Sequence, residues 1–334
     1  MKKSGLYITL ALFAFPFLAS SQLGGVGEEI SIISTPPHPR AGSAVTLTIE
    51  SSSADINSSA IVWTVNGEVA KQGVGAKLFS FGTGGLGSVL VIKASVQTQD
   101  SRVLEKEVTL RPADVELLWQ TNAYTPPFYR GKALFPYQGT ALIAAVPSFV
   151  DESGKRMKNS ELIYTWSEDG KIDGDSSGYG KNLYAIQGTV PIRAKAVSVE
   201  VRTPDDALVA SSEVEISPVG PKLLLYENHP LYGILFGRIL GGTTSLTGEE
   251  IKISAVPFYF ETPSRSRILS YAWSLNFSPL PSETKSDIVL RRASEQGGRA
   301  SLSLEVQNAD PKTFQAGRST VDILMGEQRF GAPR

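Results

Sequence analysis

Apolar and polar positions alternate with a period of two through most of this chain, the spacing of strands that bury one face. Val45, Leu47 and Ile49 alternate with Thr46 and Thr48, and Val103 to Leu110, Ala141 to Val146, Glu250 to Val256 and Ser319 to Met325 also read as strands. Turn residues punctuate the pattern, as at Pro36-Pro-His-Pro39 and Ala41-Gly42-Ser43. No segment sustains a 3.6-residue stripe over three turns, so almost no helix is expected beyond the N-terminal segment. Pro191 falls inside an expected strand, Val190 to Val201, and has to sit at its start, on an edge or at a bulge.

One stretch recurs. Ala60-Ile-Val-Trp63-Thr-Val-Asn-Gly67, Leu162-Ile-Tyr-Thr-Trp166-Ser-Glu-Asp-Gly170 and Leu269-Ser-Tyr-Ala-Trp273-Ser-Leu-Asn276 each place a tryptophan in a strand that ends at a turn. The tryptophans are 103 and then 107 residues apart, and glycines at 87, 188 and 298 precede the next strand of each copy. Such a period means three domains, each with one large side chain (Trp63, Trp166, Trp273) filling the space between two sheets. The expected limits are 28–112, 113–218 and 219–327, after a signal segment at 1–21.

This order of strands resembles the immunoglobulin-like superfamily, and in particular the PKD-like domains found in tandem in bacterial exported and surface proteins. The PKD signature has a Trp followed by an Asp-rich turn, and Trp63-Thr-Val-Asn-Gly67, Trp166-Ser-Glu-Asp-Gly170 and Trp273-Ser-Leu-Asn276 occupy that place without the Phe-Gly-Asp centre. The resemblance implies an all-β chain of three tandem immunoglobulin-like β-sandwiches, serving extracellular spacing or binding, with no catalysis.

Composition narrows the functional classes. With 32 basic and 33 acidic residues the net charge is −1, which lacks the basic footprint of a nucleic-acid binder. Cys is absent, so disulfides, thiolate catalysis and zinc–thiolate sites are excluded. Lys2-Lys3, the apolar run Leu6 to Ala19 and the small residues Ala19-Ser20-Ser21 read as an export signal cleaved before Gln22, with a retained membrane anchor as the alternative. The chain is therefore expected outside the cytoplasm: extracellular, on the cell surface or periplasmic.

Candidate chemistry is sparse. Gly82-Thr-Gly84-Gly-Leu-Gly87 matches a dinucleotide fingerprint but leads into a β-rich run instead of a helix. Asp173-Gly-Asp175-Ser-Ser177-Gly178 imitates the start of a calcium loop, yet its twelfth position is Tyr184 where a bidentate Glu belongs, so a surface turn is expected, with a weak Ca²⁺ site as the alternative. His38 and His229 stand beside prolines, and no G-x-S-x-G elbow accompanies them. The pairs Glu249-Glu250 and Asp205-Asp206 read as solvated surface. No cofactor, metal site or catalytic residue is expected.

The copies differ in one respect. Leu117–Leu134 aligns without gaps on Leu223–Leu240, an excursion between the first strand and the Ala-Val-Pro strand that the first copy lacks. Tyr124, Phe128, Tyr129, Phe135 and Tyr137 crowd one excursion, and Tyr232, Leu235 and Phe236 the other. Packing on the sandwich edge or on the preceding domain is one reading. A partner surface formed by Tyr124, Phe128, Tyr129, Phe135, Tyr137, Tyr232 and Phe236, for a protein or a glycan, is the other. The chain is thus expected to be an exported non-catalytic structural and interaction protein, with carbohydrate binding through the aromatic loops as the alternative.

Overall fold

The computed structural model describes residues 30–127, 129–246, 248–262, 269–292, 298–308 and 313–325. The expected signal segment and Phe128 lie outside them. Among the described residues the only helical turn is the 3₁₀ turn Asn159–Glu161, and no helix is long and apolar enough to cross a membrane.

The first copy comprises β1 (Ile30–Thr35), β2 (Ala44–Ser51), β3 (Ala60–Val65), β4 (Glu68–Val74), β5 (Leu78–Gly82), β6 (Leu90–Gln97) and β7 (Val103–Leu110). They form two sheets, β1-β2-β5 and β4-β3-β6-β7. The second copy repeats the plan with β8 (Asp114–Thr121), β9 (Thr140–Ser148), β10 (Ile163–Glu168), β11 (Lys171–Tyr179), β12 (Leu183–Gln187), β13 (Lys195–Arg202) and β14 (Val209–Ile216). Its sheets are β8-β9-β12 and β11-β10-β13-β14.

The third copy comprises β15 (Lys222–His229), β16 (Gly233–Leu240), β17 (Gly242–Leu246), β18 (Glu250–Phe258), β19 (Leu269–Leu275), β20 (Ser278–Pro279), β21 (Asp287–Arg291), β22 (Gly298–Asn308) and β23 (Ala316–Met325). Here the order is β16-β15-β18-β21 and β17-β23-β22-β19-β20. Three-on-four sheets, with the first, second and fifth strands against the third, fourth, sixth and seventh, are an immunoglobulin-like sandwich order. The third copy keeps this order and adds β16 to one sheet and β17 to the other, so the fold is all-β, three immunoglobulin-like sandwiches in tandem. Pro191 is in none of the strands, because the sixth strand of the second copy starts only at Lys195.

By internal contacts the described residues divide into two compact units, one within Met1–Ile33, Leu47–Phe79 and Val91–Val108, the other within Ser34–Thr46, Ser80–Leu90 and Thr109–Arg334. The first unit centres on Trp63, which is fully buried with Ile61, Ile92, Ala94 and Val96. The second unit holds two cores, one around Trp166, Tyr164, Phe135 and Phe149 and one around Trp273, Phe260, Leu302 and Leu304.

Two features at the repeated stretch are common to all copies. Each indole N–H donates to a main-chain carbonyl two residues ahead of the fifth strand: Trp63 to Ala76 at 2.8 Å, Trp166 to Lys181 at 2.8 Å and Trp273 to Lys285 at 2.9 Å. Three residues after each Trp, Asn66, Asp169 and Asn276 have φ of +50°, +51° and +50° and open two-residue hairpin turns. Each of these side chains also accepts the main-chain N–H of the sixth strand or its approach, from Val91 at 2.9 Å, Ala196 at 3.1 Å and Ser301 at 2.8 Å. The second turn residue is Gly67 or Gly170 in two copies and Phe277 in the third, where φ is +65° and the ring is 89% exposed.

Candidate functional site

The two aromatic excursions converge. On the outer face of the third sandwich, away from its tryptophan core, Tyr226, Val256 and Phe258 form a second buried cluster. Apolar side chains on the outside of a sheet require a cover, and two segments provide it.

One cover is the third copy's own excursion. β16 pairs with β15, but the register slips between Tyr226 and Asn228, where Tyr226 is opposite Ile239 and Asn228 opposite Ile234. The extra residues bulge outward and fold the Phe236 ring over Tyr226, 5.3 Å between centroids at 64°. Ile234 packs on the same cluster.

The other cover comes from the second copy. After β8 its chain leaves the sheet and runs along the segment 258–262. The Tyr124 N–H donates to the Phe260 carbonyl at 2.9 Å, the Tyr259 N–H donates to the Tyr124 carbonyl at 3.3 Å, and the Thr262 N–H and hydroxyl both donate to Asn122 at 3.1 Å. Ala123 and Glu261 pair as an antiparallel bridge. The Tyr124 side chain joins the Tyr226–Val256–Phe258 cluster, and Tyr129 meets Phe258 edge-on at 5.9 Å. Burial pushes the Tyr124 and Tyr226 phenols upward. The hydrogen bond with Tyr129, with burial second, pushes Tyr259 up to about 12. These phenols stay neutral over the physiological range.

A polar clasp completes the joint. Gln315, 1% exposed, donates its amide to the Tyr137 carbonyl at 2.8 Å and accepts the Glu261 N–H at 2.8 Å. The Asn308 amide donates to the Glu261 carbonyl at 3.1 Å. The Phe314 N–H donates to the Gln138 side chain at 2.7 Å, while Gln187 donates to the Gln138 carbonyl at 2.5 Å. On the far side Tyr137 and Val219 are tied by a main-chain bond of 3.0 Å, and Pro136 and Val219 form a parallel bridge. Gly139 is needed here, because a Cβ would approach the Pro136 ring to 2.3 Å and the Glu261 carboxylate to 2.5 Å.

The expected partner residues therefore separate. Phe135 is fully buried in the second core and is unavailable to a partner, because its segment pairs with Val219 and turns the ring inward. Tyr124 and Tyr137 belong to the joint, Tyr129 and Phe236 form its rim at 38% and 40% exposure, and Tyr232 lies outside it, 77% exposed. The second copy's excursion, expected on its own sandwich edge or on the preceding domain, also meets the sandwich that follows. Trp119, beside it, lies under the Lys132 ammonium at 3.2 Å, and the desolvation lowers the Lys132 pKa. Sequence reasoning missed Phe258-Tyr259-Phe260, Gln138, Asn308 and Gln315. The aromatic run directly after the Ala-Val-Pro strand was the one available signal, and amides give none.

Elsewhere the residues with candidate chemistry are engaged locally. The Asp173 carboxylate accepts the Ser176 N–H at 3.0 Å and its hydroxyl at 3.2 Å, which lowers its pKa. It borders an open cleft of 640 Å³ with Glu168, Asp169, Asp175, Lys171 and Arg193. Among the described residues no group of three or more His, Asp or Glu side chains is placed to hold a metal. Gly82–Gly87 joins β5 to β6 with no helix at its end. His229 stacks on Tyr232 at 4.8 Å, and its Nδ1 accepts the Leu231 N–H at 3.2 Å.

No family model matches the chain, and neither does any curated protein. Among solved structures, the three N-terminal domains of the bacteriophage RB49 highly immunogenic outer capsid protein are similar over 89% of this chain and 98% of that one, at 15% identity and a TM-score of 0.27. The central fibronectin-III array of RIM-binding protein is similar over 90% and 96%, at 12% identity and a TM-score of 0.28. The Clostridium thermocellum CbhA fibronectin(III)-like modules match over 57% and 93%, at 13% and 0.26. The fold assignment accordingly rests on the sheet order of this chain itself.

Proposed function

We propose that the chain is an exported, non-catalytic structural and interaction protein of three tandem domains, 28–112, 113–218 and 219–327, acting at the cell surface or in the periplasm. The observation carrying this reading is the joint. Aromatic side chains that an enzyme loop would aim into a cleft are used instead to fasten one sandwich to the next, with backbone pairing and a buried amide clasp around them. A protein whose elaborated loops fix inter-domain geometry is suited to holding a partner site at a set position. Export rests on the short apolar run after Lys2-Lys3. Fractionation of producing cells, with N-terminal sequencing, tests it: mature protein starting near Gln22 outside the cytoplasm supports the reading, and full-length cytoplasmic protein overturns it.

Glycan binding is a second reading, favoured by the hairpin tip between β15 and β16. There Leu231 is 82% exposed and the solvent-facing Tyr232 ring is stacked on His229. A glycan array probed with the full chain, showing hits that Tyr232→Ala abolishes, supports this reading; no hits with the full chain removes it.

A further inference from the structure

We propose that Tyr129 and Tyr259 form an oxidisable pair that can be joined covalently, stapling the second sandwich to the third in a chain that has no cysteine to do so. The two residues are 130 positions apart, and their phenolic oxygens lie 3.4 Å from each other. The chain has no Cys, so no disulfide can cross this joint.

Three details show that the two rings are held in place. Tyr259 has φ of +61°, a left-handed conformation that is uncommon for a bulky residue and persists only where the surroundings fix it. The fixing comes from its neighbours, since its N–H is bonded to Tyr124, Phe260 and Glu261 after it pair across the joint, and Phe258 before it pairs with Lys222 in its own sheet. Gly131 supplies the second detail: a Cβ there would lie 2.6 Å from the Tyr129 ring, so the bare glycine makes room for the phenol. The third is Phe258, which meets the Tyr129 ring edge-on at 5.9 Å and the Tyr259 ring at 5.9 Å, seating both. The aligned residue of the third excursion is Leu235, so the pair belongs to this joint and not to the repeat.

The chemistry needs an oxidant of the peroxidase type with hydrogen peroxide. One electron and the phenolic proton leave each tyrosine, the two radicals couple through ring carbons ortho to the oxygens, and each ortho carbon passes its hydrogen to its oxygen to restore the phenol. Peroxide accepts the two electrons and two protons and leaves as two waters. The protein becomes two hydrogens lighter and gains one carbon–carbon bond. Tyr129 is 38% exposed, which gives the oxidant access to one ring of the pair.

The test treats dilute full-length protein with a peroxidase and hydrogen peroxide and maps the linked peptides by mass spectrometry. The expected product is a monomer two hydrogens lighter, with dityrosine fluorescence and one linked peptide pair containing Tyr129 and Tyr259. Tyr129→Phe and Tyr259→Phe each lose that product, whereas Tyr232→Phe, which removes a more exposed phenol, keeps it. Dityrosine elsewhere in wild type with the 129–259 link absent overturns the proposal, as does an unchanged yield in Tyr129→Phe. Should either variant loosen the joint, the wild-type peptide map decides by itself.

Discussion

An indole N–H buried in an apolar core without an acceptor costs about 1–3 kcal/mol, and each tryptophan here avoids that by meeting a carbonyl two residues ahead of the fifth strand. The same side chain therefore fills the core and fixes the strand across from it. The second sandwich departs from its siblings two residues later. Glu168 stands where the others have Val65 and Leu275, and Lys195 where they have Leu90 and Ala300. Their ion pair is nearly enclosed on the lysine side, 6% exposed against 27% for Glu168. Tyr184, stacked on Trp166 at 5.2 Å, donates its hydroxyl to Glu168 at 3.2 Å. Burial first, and then the Glu168 and Asp173 charges, raise the Tyr184 pKa. A buried pair recovers little more than its desolvation cost, while half a pair is worse than none. Lys195→Ala is thus expected to destabilise the protein by about 2 kcal/mol. The double change Glu168→Leu with Lys195→Ala, which recreates the third sandwich's apolar pair, should restore most of the loss. Denaturant unfolding of the single and double variants checks this; a double variant as unstable as the single contradicts it.

At the scale of elements, the strands that alternate cleanly were legible in the sequence because one buried face imposes a period of two. Val103–Leu110 coincides with β7, and Ser319–Met325 falls within β23. The Trp turns were legible too, since Asn-Gly and Asp-Gly are the residues that accept left-handed backbone at a two-residue hairpin. The excursions were visible as aromatic insertions, but their destinations were not. The bond from Thr262 to Asn122 spans 140 residues, and neither partner shows any pattern that anticipates the other. Phe135 reads as a loop aromatic because the short segment around it is too brief to show a period, and only its pairing to Val219 turns it inward. The bulge of β16 is illegible for a similar reason: Gly233–Leu240 is apolar but for Arg238 and shows no alternation, so nothing in its sequence says where the register slips. That slip also blunts an apolar edge strand that would otherwise offer its backbone to other chains.

At the scale of the molecule, the joint converts two sandwiches into one compact unit. Short tethers alone would leave neighbouring domains free to reorient. Here the backbone pairing of Ala123 with Glu261, the shared cluster around Tyr226 and Phe258, and the Gln315 clasp act on three sides of the contact. Absence of native Cys allows spin labels to be placed at will. The most direct test of the account is an electron–electron distance distribution between labels at Ser211→Cys and Thr320→Cys, one on each sandwich and both away from the joint. The account predicts a single narrow distribution that broadens when Tyr124→Ser and Gln315→Ala are combined. A broad distribution in the otherwise unaltered chain, unchanged by those two substitutions, would contradict it.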